Sequence, residues 1–381
     1  MSSLHLPHSP SRENPTSRKA TSRRVANTPR NNRSNQVGER IETPARPLRI
    51  LAMGGGTGLS ALLHGLKRFS IAGADSFPPD EPLLDLAAVV TVSDEGGSSG
   101  RLRKEFDILA PGDIRNCMVA LAEDEALLSR LFQYRFDGGR GLAGHSFGNL
   151  FLTALTNVTG DFQQAIQLSS EVLAIRGRIY PSTLVNVRLE ARFNDGATRV
   201  GETRIAQSTS GIRTLRLRPR ICPPLPETLE AIERADVISL GPGSLYTSVM
   251  PNLLVRGIPE AIGSSKAVKV YICNLMWEPG ETDGYTAADH LRAIHRHAPE
   301  ALIDYVAVNN GRIPAGLRRR YREQKAFPVE AATAELRALG VSVIESDFVM
   351  AGRVLRHDPE RLTRLLIELG RAKRSREAGG S

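Results

Sequence analysis

Three cysteines in 381 residues, Cys117, Cys222 and Cys273, lie far apart and without paired metal-ligand spacing. A disulfide frame and a cysteine-based metal site are therefore not expected, and a reduced, cytoplasmic setting is. No apolar run reaches the length of about 18 residues that a membrane-spanning helix needs, and the N-terminus lacks the apolar core of a secretory signal. There is no internal repeat. Neither a Gly-x-Ser-x-Gly nucleophile elbow nor a metalloprotease helix occurs.

Net charge is also missing where it would matter for nucleic acid. The formal charge of +9 sits at the ends: residues 1–47 hold nine Lys/Arg against three Glu, residues 371–381 hold four against one, and residues 48–370 are neutral. Phosphate-tracking domains carry their charge on a folded face, so no nucleic-acid partner is expected. Residues 1–46 are rich in Ser, Asn, Pro and Arg and too poor in apolar side chains to offset ordering entropy. They read as a disordered basic extension, although an Arg/Ser-rich, acid-poor leader also fits an organellar transit peptide.

From Pro47 onward, apolar strands and helical runs alternate. Leu48 to Met53, Leu86 to Val92, Val237 to Leu240, Val268 to Cys273, Ile303 to Val308 and Val341 to Ile344 read as strands, and Ser60 to Phe69 as the first helix. Such alternation predicts a Rossmann-like, doubly wound, mostly parallel α/β sheet spanning residues 47–370. Val185 to Phe193 differ, with apolar odd and polar even positions, and Asn194-Asp195-Gly196 supplies a turn. Residues 180–220 are thus expected to form a small antiparallel hairpin excursion. Asp358-Pro359 announces a last helix ending before Gly370, leaving 371–381 as a disordered basic tail.

The strongest local signal is Gly54-Gly55-Gly56-Thr57-Gly58 between first strand and first helix. Glycine lets the backbone approach a phosphate, and the helix start aims free N–H groups at it. Gly55, Gly56, Thr57 and Gly58 are candidate diphosphate contacts. Leu59 stands where the dinucleotide fingerprint requires a third glycine, and no Lys follows as in a P-loop. After the second strand come Ser93, Asp94, Ser98, Ser99 and Arg101, within Ser93-Asp94-Glu95-Gly96-Gly97-Ser98-Ser99-Gly100-Arg101. The carboxyl ends of neighbouring parallel strands are where such folds bind ligands, so Asp94 suits a ribose hydroxyl or a shared Mg²⁺; an Asx turn is the alternative.

Asp113 and Asn116, in Pro111-Gly112-Asp113-Ile114-Arg115-Asn116, precede a helical run, as do His145 and Asn149 in Gly144-His145-Ser146-Phe147-Gly148-Asn149. Each reads either as a ligand contact or as a helix start. His145 has no Cys, Asp or Glu at metal spacing. Gly241-Pro242-Gly243-Ser244 repeats the strand, glycine loop and helix start in the second half of the chain, so Gly241, Gly243 and Ser244 form a second cradle over the same crevice. Asn274-Leu275-Met276 ends another strand, with Gly280-Glu281-Thr282-Asp283 close behind.

Taken in order, these segments resemble the YvcK family, the gluconeogenesis factors of the CofD-like superfamily, and Gly284-Tyr285 and Arg356-His357-Asp358 extend the likeness across residues 48–370. The resemblance implies a Rossmann-like fold that binds a UDP-sugar such as UDP-N-acetylglucosamine or UDP-glucose. It also implies a part in cell-shape and cell-wall control during gluconeogenic growth, with no required cofactor. By the same likeness Thr57, Tyr321 and Arg356 contact the nucleotide sugar, and Asn274 is a further candidate contact. Glu95 stands where the family pattern has a second Asp, Ala110 where it has Pro, and Pro359 where some relatives carry a phosphorylatable residue. A homo-oligomer is compatible with the pattern. The alternative is a CofD-like transferase that moves a phospholactyl group to a deazaflavin, with Asp94 and Asp113 holding Mg²⁺. A dehydrogenase reading is weakened by Leu59 and by the want of a His/Asp or Tyr/Lys pair.

Overall fold

The computed structural model describes residues 46–70, 83–123, 127–208 and 210–379; the extension foreseen for residues 1–46 lies, up to residue 45, outside them. Seven strands form an all-parallel sheet: β1 (Leu48–Gly54), β2 (Leu84–Val90), β3 (Arg178–Pro181), β7 (Val237–Leu240), β8 (Val268–Ile272), β9 (Tyr305–Asn309) and β10 (Ser342–Ser346). Between β3 and β7 lie β4 (Arg188–Phe193), β5 (Thr198–Val200) and β6 (Ile212–Arg218), an antiparallel sheet ordered β5-β4-β6. A hairpin of β11 (Val349–Ala351) and β12 (Leu355–His357) follows β10.

The main sheet is ordered β10-β9-β8-β7-β1-β2-β3. The chain therefore winds outward from β1 through β2 to β3, then restarts at β7 on the other side of β1 and winds away to β10. β1 and β7 are the pair at which the winding reverses, and the crevice beyond the carboxyl ends of such a pair is the binding place of doubly wound sheets. Both strands are apolar and buried almost throughout, as helices on both faces require.

Among the boundaries that differ from the sequence expectation, two change the architecture. Residues 180 and 181, placed in the excursion, instead end β3, which pairs in parallel with β2 and closes the main sheet. The excursion itself keeps the expected alternation, with Leu189, Ala191 and Phe193 buried; Glu190 is buried with them and bonds Arg216. The last helix does not stop before Gly370: it runs Pro359–Gly379, so the tail expected to be disordered is helical up to that residue. Glycine after a helix commonly marks its end, but Gly370 serves another purpose. A Cβ there would lie 2.7 Å from Leu48 and 3.0 Å from Val237, so its absence lets the helix lie flat on β1 and β7. One turn further on, Arg374 donates to Asp236 at 2.6 Å and to the carbonyls of Arg46 and Pro47. Arg46 grips the same carboxylate through two bonds of 2.9 and 2.8 Å. Burial alone would raise the Asp236 carboxyl; the hydrogen bonds from Arg46, the Arg49 amide and Arg374 outweigh it and hold it at about 2. Residues at both ends of the domain are thereby fastened to the amino end of β7, opposite the crevice.

Candidate functional site

The first glycine loop follows β1 and opens the helix Gly56–Leu66, whose N-cap, Gly55, supplies no side-chain bond. Its first amides have no partner within the helix; that of Gly56 is accepted by the Asp113 carboxylate. The second loop follows β7, and the chain then coils through Leu245–Val249 into the short helix Met250–Leu253. The two loops touch. The Gly241 amide donates to the Met53 carbonyl at 2.8 Å, and the buried Asn252 amide donates to the Gly54 carbonyl at 3.1 Å. A Cβ on Gly58 would come within 2.8 Å of the Pro242 carbonyl carbon and closer still to its oxygen, and one on Gly243 within 3.3 Å of the Gly55 oxygen. Glycine at these positions is what allows the two main chains to pack edge to edge.

Above them lies a cavity of about 540 Å³, within the range of small-molecule sites. Of the residues singled out from sequence, Gly55, Gly56, Thr57, Gly58, Gly243, Ser244, Asn274, Tyr321 and Arg356 line it. Gly241 lies just beneath, as the turn that starts the second loop. Tyr321 is held by its hydroxyl, which accepts from the Leu355 amide at 3.0 Å, and by a small apolar cluster of Leu275, Met276, Ile313 and Leu317. Trp277, unremarked in the sequence, packs on Phe327 with ring centroids 5.0 Å apart and donates its indole N–H to the Tyr285 carbonyl. Arg356, on β12, is exposed, and it is the one Lys or Arg among the described residues lining the cavity. Its neighbour His357 adds no charge at neutral pH: burial drives the imidazole down to about 4, and its Nε2–H donates to the Cys273 carbonyl.

The other sequence candidates do not line this cavity. Ser93 is buried and bonds Thr91. Ser98 shares a hydrogen bond of 2.9 Å with His145, and Asn149 donates to Ser99 at 3.4 Å; these fasten the helix Gly97–Phe106 to the helix Phe147–Thr159. Asn116 accepts from Arg115. Arg101 donates to the Ala143 carbonyl and borders a separate cavity with Arg103, Lys104, Arg188 and Arg204.

Asp94 and Asp113 stand beside the first loop. The Asp94 carboxylate accepts from the Gly96 amide at 2.7 Å, and the Asp113 carboxylate packs so closely on Gly55 that a Cβ there would be 2.6 Å from it. Sequence reading missed their third partner, Glu202, which comes from the helix Glu202–Ala206 of the excursion, accepts from the Glu95 amide and lines the cavity. Burial, reinforced by Asp94, raises Asp113 to about 7. Burial together with the charges of Asp94 and Asp113 raises Glu202 to about 8. No three His, Cys, Asp or Glu among the described residues are grouped so as to hold a metal ion by themselves.

These raised values fix the sign of a pH effect. Both groups bind protons in the folded chain that the unfolded chain, with ordinary values of 3.8 and 4.5, releases. Their contribution is fully present below about pH 4 and is lost as pH rises through about 7 to 8. Glu202→Gln should accordingly raise the melting temperature by a few degrees at about pH 8.5 and leave it nearly unchanged at about pH 5. Thermal melts at the two pH values check this, and equal changes at both would refute it.

Compared with known proteins, residues 50–349 match the family described as 2-phospho-L-lactate transferase CofD. The chain is 48% identical over 320 residues to the gluconeogenesis factor of Halalkalibacterium halodurans, covering 84% of this chain and 95% of that protein. It is 46% identical over 322 residues to the gluconeogenesis factor of Bacillus subtilis strain 168, covering 84% and 98%. The crystal structure of a UPF0052 family member from Bacillus halodurans superposes with a TM-score of 0.79 at 47% identity, covering 84% of this chain and 99% of that one. No helix among the described residues is long and apolar enough to cross a membrane.

Proposed function

The chain belongs to the CofD family, alongside the gluconeogenesis factors, and on that premise we propose that it is a regulatory protein that binds a UDP-sugar in the cavity at the β1–β7 switch point. The ligand is of the UDP-N-acetylglucosamine or UDP-glucose kind, and its binding reports sugar-nucleotide supply to cell-shape and cell-wall control during gluconeogenic growth. The observation that carries the reading is the contact between the two glycine loops, Gly58 against Pro242 and Gly243 against Gly55. Two helix starts with close-packed main chains offer amides to a pair of linked phosphoryl groups. Trp277 and Tyr321 supply flat surfaces for a base, Arg356 the one cation among the described residues lining the cavity, and the volume suits a ligand of nucleotide-sugar size.

Isothermal titration with UDP-N-acetylglucosamine, UDP-glucose and NAD tests the reading. The uridine ligands should bind and NAD should not; absence of heat with every uridine nucleotide at millimolar concentration removes it.

One observation favours a second reading, a CofD-like phospholactyl transfer to a deazaflavin. Asp94, Asp113 and Glu202 gather hard oxygen donors beside the phosphate cradle, and their mutual repulsion is of the kind a cation relieves. Mg²⁺ is commonly held by one or two carboxylates with substrate phosphates completing its shell, so Asp94 and Asp113 would hold it and it would offset the charge of the donor's phosphates. Formation of a phospholactyl deazaflavin from deazaflavin and activated donor, lost in Asp94→Asn, would establish this reading over the first.

A further inference from the structure

Resting on the nucleotide-sugar reading, we infer that Glu278, together with Asn274 of the same cavity lining, is the specificity element of the cavity and accepts hydrogen bonds from a vicinal pair of sugar hydroxyls on the ligand.

Glu278 is firmly placed. The segment after β8 folds on itself: the Glu278 amide donates to the Thr282 hydroxyl at 2.9 Å, and the amides of Glu281 and Thr282 both donate back to the Glu278 carbonyl. The Trp277 amide is tied to the Phe327 carbonyl at 2.8 Å. Glu278 is therefore presented to the cavity from a closed turn, and one carboxylate oxygen, Oε1, accepts from the Ser244 hydroxyl at 2.8 Å. The other oxygen, Oε2, is buried with no hydrogen-bond partner, and so is Oδ1 of Asn274, which lines the same cavity. Buried acceptors without donors are costly and rare. Two of them lining one ligand-sized cavity point to donors that arrive with the ligand.

The chemistry of a nucleotide sugar narrows which donors these are. Burial raises the Glu278 carboxyl to about 7; above that pH it only accepts, as Asn274 Oδ1 does at any pH, and phosphoryl oxygens, which also only accept, satisfy neither. A uracil ring offers a single N–H. Adjacent hydroxyls offer two donors at short spacing, and a carboxylate accepting from ribose hydroxyls is the device by which dinucleotide folds recognise that sugar. Position agrees, because Ser244 belongs to the second phosphate loop, so Glu278 stands one hydrogen bond away from the cradle. Both sugars of a UDP-sugar are attached directly to the diphosphate, and either the ribose or the hexose brings its hydroxyls to that distance.

Titration of wild type, Glu278→Gln and Glu278→Ala with UDP, 2′-deoxy-UDP and UDP-glucose decides the matter and separates the two sugars. If the ribose is read, wild type should prefer UDP over 2′-deoxy-UDP by roughly 10-fold or more, and Glu278→Ala should reduce that ratio to near one. If the hexose is read, the preference for UDP-glucose over UDP should collapse instead. In either case affinity for the ligand lacking the hydroxyls should stay within about threefold of wild type, a result that mere loss of fold would not give. Glu278→Gln keeps the shape and one acceptor oxygen, and it should lose part of the ratio even if the alanine variant fails to fold. Wild-type ratios retained in the Gln variant, or no discrimination in wild type, overturn the inference while leaving nucleotide binding in place. A wild-type chain that binds none of the three ligands overturns the nucleotide-sugar reading itself, and this inference with it.

Discussion

Gly58→Ala is expected to abolish measurable UDP-sugar binding, weakening it by more than about 100-fold, and to lower the melting temperature as well. The added methyl group would meet main-chain atoms of the second glycine loop: 2.8 Å from the Pro242 carbonyl carbon, nearer to its oxygen and 3.1 Å from the Gly243 amide. Backbone cannot rotate out of the way as a side chain does, so the loops must separate or the helix Gly56–Leu66 must shift. Overpacking of this kind typically costs about 1–3 kcal/mol. Binding should suffer more than stability, because a misplacement of about 1 Å disrupts geometry that converging amides depend on. Gly138→Ala is the control, since a Cβ there meets nothing within 4 Å; it should bind and melt as wild type. Titration and thermal melts on the two variants test the pair. Near-normal affinity in Gly58→Ala would mean that the loops do not act as one cradle.

How far the site was legible in the sequence depends on which contacts are local. The run Leu48 to Gly58 declares itself, because an apolar strand, a glycine cluster and a helix start fall within a dozen residues, and residues 237–245 repeat the pattern. That those two loops meet follows only from strand order, which places β7 against β1 and is settled by packing of the whole sheet. Glu202 was invisible for the same reason. It lies 107 residues from Glu95, whose amide it accepts, and no periodicity links an excursion helix to a loop across the crevice. Ser98, Ser99, His145 and Asn149 present the opposite case. Their residue types suit a ligand, but their side chains bond one another between two helices, Asn149 through its side-chain nitrogen alone. Gly370 was misread because a glycine that stops a helix and one that lets it lie close on a sheet look alike in sequence; Leu48 and Val237 decide which it is. Glu278 carried no signal at all, because what marks it is an oxygen without a donor, a property of the assembled cavity.

Arg356→Ala should weaken UDP-sugar binding by roughly 10- to 100-fold, as expected for a charge-assisted hydrogen bond to phosphate, and leave the melting temperature almost unmoved. The separation of the two effects follows from where the residue sits. Its backbone is held in the β11–β12 hairpin by pairing with Met350, which alanine preserves, and its side chain is exposed at the cavity rim. No other cation lines the cavity among the described residues: burial raises the carboxyls of Glu202 and Glu278 to about 8 and about 7, and His357 is neutral. Apart from main-chain dipoles, Arg356 therefore provides the compensating charge for a diphosphate. Lysine at this position should recover only part of the affinity, because an ammonium keeps the charge but cannot present the two parallel N–H groups of a guanidinium. Titration of the Ala and Lys variants with UDP-N-acetylglucosamine, alongside thermal melts, measures both effects. Unchanged affinity in Arg356→Ala would place the phosphates elsewhere, and a large fall in melting temperature would mark the residue as part of the fold.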